Sequence, residues 1–225
     1  MSGAALAGVF NLGPQIAAQV LGLPFSQYRC TGPGPAIAAG NLLGTPPAWI
    51  TADKTLLDAA PFVYGKPFGF AAIDPTLTQP GDYLVGSLVL GGVQSTFFIS
   101  SQDVPAPIQV VRCNSVVSIA RAADALAAGS TGTYSGLAVE DAAPFMTGWP
   151  AAILQMSSGS KMDGTGMQLP TDGKLPGQNI YLPGTCPAIR FNDIITDANG
   201  VRYAVSNAEL TPLGWRLTAS QWPAG

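Results

Sequence analysis

Apolar positions in this chain keep two different periods. Over residues 1–22 Leu6, Val9, Phe10, Ile16, Val20 and Leu21 fall at helical spacing, which predicts an N-terminal helix in one or two pieces. Ser2 can cap its start, Gly13-Pro14 breaks or restarts it, and Gly22 followed by Pro24 stops it. Residues 23–80 are punctuated by Thr31-Gly32-Pro33-Gly34-Pro35, Thr45-Pro46-Pro47 and Gly65-Lys66-Pro67. Aromatic residues recur between these breaks, among them Phe25, Tyr28, Trp49, Phe62, Phe68 and Phe70, so the segment reads as extended, loop-rich chain ordered by packing.

From Gly81 the period shortens to two. Gly81-Asp82-Tyr83-Leu84-Val85, Ser95-Thr96-Phe97-Phe98-Ile99-Ser100 and Ile108-Gln109-Val110-Val111-Arg112-Cys113 are strand-like runs joined by a Gly91-Gly92 turn and by Pro105-Ala106-Pro107. Ser115-Val116-Val117-Ser118-Ile119 and Ala151-Ala152-Ile153-Leu154-Gln155-Met156 continue the series, and 157–177 reads as a long exposed loop rich in Gly, Ser and Asp. Phe191 to Thr196 then turns at Asp197-Ala198-Asn199-Gly200 into Val201 to Ser206, and Gly214 to Ala219 follows. The phrases beginning at Asp82 and at Asp193 run in parallel: strand, turn, aromatic strand, connection, strand. The expected fold is therefore mainly β with an N-terminal helical arm and small β-barrel or sandwich modules that read as two related meanders. The expected divisions are an arm at 1–22, a β-module with a Pro/Gly-rich lead at 23–135, and a second β-module at 136–225 carrying the loop 157–177.

Composition changes the picture at the surface. Charged residues make up 10% of the 225 positions, against roughly 25% in ordinary soluble domains, and apolar residues 47%. With a net charge of −3 there is little electrostatic repulsion between copies, as suits a subunit whose faces are covered by neighbours. Ten basic residues, nowhere clustered, speak against specific nucleic-acid binding. No apolar run is long enough to cross a bilayer, and Met1 to Leu6 lacks the basic region of a secretory signal, so a cytosolic start and no membrane partner are expected. Cys30, Cys113 and Cys186 form no paired-cysteine motif and are expected as buried free thiols.

Catalytic chemistry is hard to build from this text. The chain contains no histidine, which removes Ser-His-Asp and Cys-His mechanisms and histidine-bound metals. A carboxylate pair would have to come from Asp74, Asp82, Glu140, Asp141, Asp163, Asp193 and Glu209. Asp82 and Asp193 each open a strand, where a carboxylate commonly accepts backbone N–H bonds in a turn. Ser157, Ser158, Ser160 and Lys161 lie in glycine-rich text and read as loop filler, and no phosphate-binding glycine motif is present. Trp49, Trp149, Trp215 and Trp222 offer stacking faces for a sugar, but Trp215 in its alternating strand reads as core. No enzyme activity, cofactor or metal is expected.

Leu21-Gly22-Leu23-Pro24-Phe25-Ser26-Gln27-Tyr28-Arg29 behind a short Ala-rich helix, with Ala72-Ile73-Asp74, Gly81 to Gly86, Thr96 to Ser100, Gly200 to Tyr203 and Gly214 to Leu217, resembles structural proteins of tailed bacteriophages over nearly the whole chain. The pattern from Asp193 to Tyr203 is similar to the β-modules of head-completion and neck proteins, although ring-forming members are often about half this length. The resemblance implies a virion component of the neck, collar, head–tail connector or tail, assembled in the host cytoplasm, with no catalytic residues to transfer. Its partners would be further copies of itself and portal, connector or tail proteins. The expected contact residues are Leu6, Val9, Phe10, Ile16 and Val20 on the arm and Lys161, Asp163 and Lys174 in the long loop. The alternative is a carbohydrate- or receptor-binding β-module of a tail.

Overall fold

The computed structural model describes residues 3–54, 56, 60–63, 65–103, 106–121, 143–156 and 177–221, with the backbone alone for 3–11 and 143. The chain is mainly β, as expected. One helix, α1 (Gly3–Leu21), precedes β1 (Leu23–Pro24), β2 (Ser26–Tyr28), β3 (Leu42–Gly44), β4 (Pro47–Thr51), β5 (Phe68–Ala72), β6 (Tyr83–Ser87), β7 (Gln94–Ser101) and β8 (Ile108–Cys113). There follow β9 (Ser115–Arg121), β10 (Ala143–Gln155), β11 (Gly177–Leu182), β12 (Ile194–Thr196), β13 (Arg202–Thr211) and β14 (Gly214–Gln221). Helix α1 runs through Pro14 in one piece, packed on β4 and β5, and ends where Gly22 N–H donates to the Ala18 carbonyl at 2.9 Å. Gly22 is required there, because a Cβ would lie 2.2 Å from that carbonyl oxygen.

The strands expected after Gly81 are all present, and the Pro/Gly-rich stretch before it holds five more. Proline and glycine punctuation hides such short strands: Pro47 opens β4, and Gly69 in β5 makes room for the Phe62 ring, which a Cβ would approach to 2.5 Å. Ser115 to Ile119, grouped by sequence with the first module, instead pairs with β10 and β12. The crossing point is Asn114, whose side-chain amide both donates to the Ile153 carbonyl and accepts its N–H, each at 2.8 Å.

The strands form two sheets of one design. In the second, β9-β10-β11-β14-β13-β12 closes back onto β9 as a six-stranded barrel. In the first, the order is β1-β4-β5-β8-β7-β6-β2-β3. Only Phe25 separates β1 from β2, so one interrupted strand pairs with β4 through its first half and with β6 through its second, and the sheet curls round to its own start. Substituting β1/β2 for β9, β4 for β10, β5 for β11, β6 for β12, β7 for β13 and β8 for β14 maps one strand order onto the other.

Residue registers follow the same map. With Asp82 set on Asp193, the pair Tyr83↔Tyr28 falls on Ile194↔Ala120, and Tyr83↔Phe98 on Ile194↔Ala204. Ile99↔Val110 falls on Val205↔Ala219, and Phe68↔Val111 on Gly177↔Ser220. Trp49↔Ala72 falls on Ala152↔Tyr181, and Leu23↔Ala48 on Ser115↔Ala151, which returns to the starting strand without a slip. Both barrels carry an irregularity at the same point, after Ile99 in β7 and after Val205 in β13. Because a one-residue slip would turn every side chain to the other face, the cores must coincide as well. They do: Ala48, Ala71, Leu84, Ile99, Ile108 and Val110 fill the first barrel where Ala151, Ile180, Ile195, Val205, Leu217 and Ala219 fill the second. Each buried Leu, Ile or Val contributes about 1.5–3 kcal/mol.

Candidate interface surfaces and the duplicated ion pair

Each barrel buries one aspartate at the foot of an equivalent strand and holds it with one arginine. Arg29, just past the end of β2, donates through Nε to Asp82 Oδ1 and through Nη2 to Oδ2, both at 2.7 Å. Arg121, at the end of β9, donates through Nε to Asp193 Oδ1 at 2.7 Å and through Nη2 to Oδ2 at 2.8 Å. The backbone N–H three residues ahead of each aspartate closes its turn, Gln79 onto Asp82 at 3.0 Å and Arg190 onto Asp193 at 2.7 Å. Each guanidinium also reaches the carbonyl five residues ahead, Leu77 at 3.4 Å and Ala188 at 2.9 Å. The turn reading of the two carboxylates holds; the arginines that complete them were not foreseen.

Such a carboxylate is spent on structure. Both are essentially without exposure, and every bond they accept fixes the loop entering a central strand. Asp82 takes one further donor, Gln27 Nε2 at 2.7 Å, where the second barrel has the apolar Ile119. The hydrogen bond from Arg29 to Asp82 raises the arginine pKa. The residue before each aspartate has left-handed backbone, Gly81 at φ 97° and Asn192 at φ 68°. At Gly81 glycine is compulsory for a second reason, since a Cβ would sit 2.4 Å from Thr185 of the other barrel.

The seam between the barrels is apolar. Tyr83, Phe98 and Val111 point away from the first barrel's interior and join the second barrel's core. Tyr83 donates its hydroxyl to the Pro150 carbonyl at 2.8 Å and meets Trp149 edge-on at 6.2 Å, while Phe68 meets Tyr181 at 5.3 Å. Cys30 and Cys186 are buried and Cys113 is half-buried, all free. Burial pushes the Cys113 thiol far up and the Cys186 thiol up to about 12, so neither is a ready nucleophile at neutral pH. Trp149 and Trp215 are buried, which takes their rings away from sugar stacking, and Trp49 is half-buried; the indole N–H of each is enclosed without a partner among the described residues. Trp222 lies outside the described residues.

Of the expected contact residues, Ile16 and Val20 stand exposed on α1 together with Leu12, one turn apart each, while Ala18 is buried against the barrel. Gln15 ties the helix down by donating to Asp74 Oδ1 at 2.8 Å. Burial opposes ionisation of Asp74, but the bonds from Gln15 and Thr76 outweigh it and hold its pKa below the usual range. Leu6, Val9 and Phe10 belong to the helix, their side chains beyond description, and Lys161, Asp163 and Lys174, like Glu140 and Asp141, lie outside the described residues. Glu209 is exposed. Among the described residues no three metal-ligating side chains cluster, and no helix is long and apolar enough to cross a membrane.

Two surfaces escaped the sequence reading. The β6–β7 hairpin ends in exposed Val89, Leu90 and Val93, and the only signal was apolar residues flanking a Gly-Gly turn. A cleft of about 570 Å³ opens where the barrels meet, lined by Phe62, Val63, Pro67, Cys113 and Leu154 with Arg112 and Lys66 beside them. No family model, no curated protein and no solved structure matches the chain.

Proposed function

We propose that this chain is a structural component of a tailed-phage particle that works by packing against other copies of itself and against portal, connector or tail proteins at the neck or in the tail. The observation that carries this reading is the outward stripe of Leu12, Ile16 and Val20 on α1. The helix bears no charged residue, and its opposite side is already fixed to β4 and β5. An apolar stripe held in the open by a docked helix is a surface waiting for a neighbour. The low overall charge and the resemblance to phage neck and tail proteins support the same reading. Both buried carboxylates are consumed in holding loops, which favours a building block over a hydrolase.

The test is association of the purified chain. Light scattering should report a mass several times 23.0 kDa, and Ile16→Glu with Val20→Glu should lower it while the circular dichroism spectrum stays unchanged. Mass spectrometry of purified particles should find the chain in fixed stoichiometry with the portal protein. A monomer that is absent from particles would end the proposal.

A further inference from the structure

The two equivalent hairpins serve as controls for one another. Hairpin β12–β13 turns through Asp197, Ala198, Asn199 and Gly200, and Asp197 Oδ1 accepts the N–H groups of Asn199 and Val201 at 2.9 Å each. That tip is polar and closed on itself. Hairpin β6–β7 continues for two further cross-strand pairs, Gly86↔Ser95 and Ser87↔Gln94, beyond the point where its counterpart turns. It ends in Val89, Leu90 and Val93, exposed by 65%, 91% and 89%. The tip is built: Gly92 N–H donates to the Val89 carbonyl at 3.0 Å, Ser87 Oγ donates to the same carbonyl at 2.6 Å, and Gly91 takes φ 70°. Folding requires none of this apolar surface, since the sister barrel folds the same strands with a polar turn.

The same chain carries a surface of matching chemistry. The cleft between the barrels holds about 570 Å³, room for the Leu90 side chain and both valines, and among the described residues its wall is apolar apart from Lys66, Asn114 and Arg112, whose guanidinium lies 5.6 Å over the Phe62 ring. The hairpin's own strands run past this wall, with Arg112 Nη2 donating to Ser95 Oγ at 3.2 Å, so the tip projects beyond the cleft of its own chain. We propose that the β6–β7 tip is a docking finger whose occupant site is the inter-barrel cleft of a second copy. This rests on the assembly reading and names the surfaces. Finger and cleft are different patches, so the contact can repeat from copy to copy, the geometry from which rings and tubes are made.

Three measurements on the full chain test this. Leu90→Asp with Val93→Asp should weaken self-association at least tenfold in sedimentation velocity, with an unchanged urea midpoint. Mixing a Leu90→Cys chain with a Leu154→Cys chain, each also Cys113→Ser, should give a mixed disulfide dimer under oxidation that neither chain forms alone. If the wild type assembles but the aspartate variants assemble equally and no mixed dimer forms, the finger is refuted and the assembly reading survives. A wild type that stays at 23.0 kDa at every concentration refutes both. Binding of the wild type to phosphatidylcholine–phosphatidylglycerol vesicles, lost with Leu90→Asp, would make the occupant lipid and overturn the proposal.

Discussion

At three outward positions the first barrel carries a large apolar side chain where the second carries a smaller one. Tyr83, Phe98 and Val111 become Ile194, Ala204 and Ser220 at the same register positions, and the apolar tip of β6–β7 becomes Asp197-Ala198-Asn199-Gly200. Inside, the pattern is shared. The strand order, the pairings, the irregularity in β7 and β13 and the arginine-held aspartate are common to both, so these specify the barrel. What differs is what each barrel touches. The outer face of β4–β5 is covered by α1, while β10, the counterpart of β4, is packed against β8 of the first barrel.

The largest expected asymmetry lies at the residue before each aspartate. Gly81→Ala combines left-handed backbone with a clash against Thr185 and should cost about 3 kcal/mol or more in urea unfolding. Asn192→Ala, with the same backbone need, should cost only about 1–2 kcal/mol. Equal costs would break the idea that the seam, and not the turn, demands glycine. Next come the arginines. Arg29→Ala and Arg121→Ala each leave a buried carboxylate unpaired and should each cost about 3 kcal/mol, the low end for such pairs because both guanidinium groups are about one-third exposed, at 32% and 34%. Widely different losses would show that the two clasps are not equivalent.

Tyr83→Phe removes a hydroxyl bond across the seam and should cost about 1 kcal/mol. Burial raises the Tyr83 pKa, so the unfolded tyrosine ionises first and stability falls as pH rises above about 10. The variant should flatten that alkaline decline, and Tyr203→Phe should do so less. The smallest effect belongs to α1. The folded Asp74 pKa is lowered, so its contribution is present above the ordinary carboxylate range and lost as pH falls through the folded value. Hydrogen-exchange protection over 12–21, relative to the intrinsic rate at each pH, should therefore fall below about pH 4, and Gln15→Ala should remove much of that dependence.

Much of this was legible in the sequence where residues alternate freely. Apart from β11 and the first half of β10, the strands from Tyr83 onward, the Asn199-Gly200 turn and the parallel between Asp82 and Asp193 all read directly. The first barrel's opening strands did not, because Pro24, Pro47 and Gly69 sit inside them and are tolerated only for positions that the pairing pattern defines. The clasp had a signal in retrospect: Ser26 and Ser118 each stand three residues before the arginine, and each aspartate follows a residue able to adopt positive φ. Sequence spacing gave no hint that the partners meet, since 53 residues separate Arg29 from Asp82 and 72 separate Arg121 from Asp193. The finger was overlooked because an apolar tip on a hairpin contradicts the rule that turns are polar, and such contradictions belong to surfaces with a partner.

Exchanging the tips tests the shared plan and the divergent surface together. Replacing Val89-Leu90-Gly91-Gly92-Val93 with the turn Asp-Ala-Asn-Gly-Val of the second barrel should leave a chain that melts within a few degrees of the wild type and self-associates at least tenfold more weakly. A grafted chain that fails to fold, or one that folds and associates as the wild type does, would contradict the account.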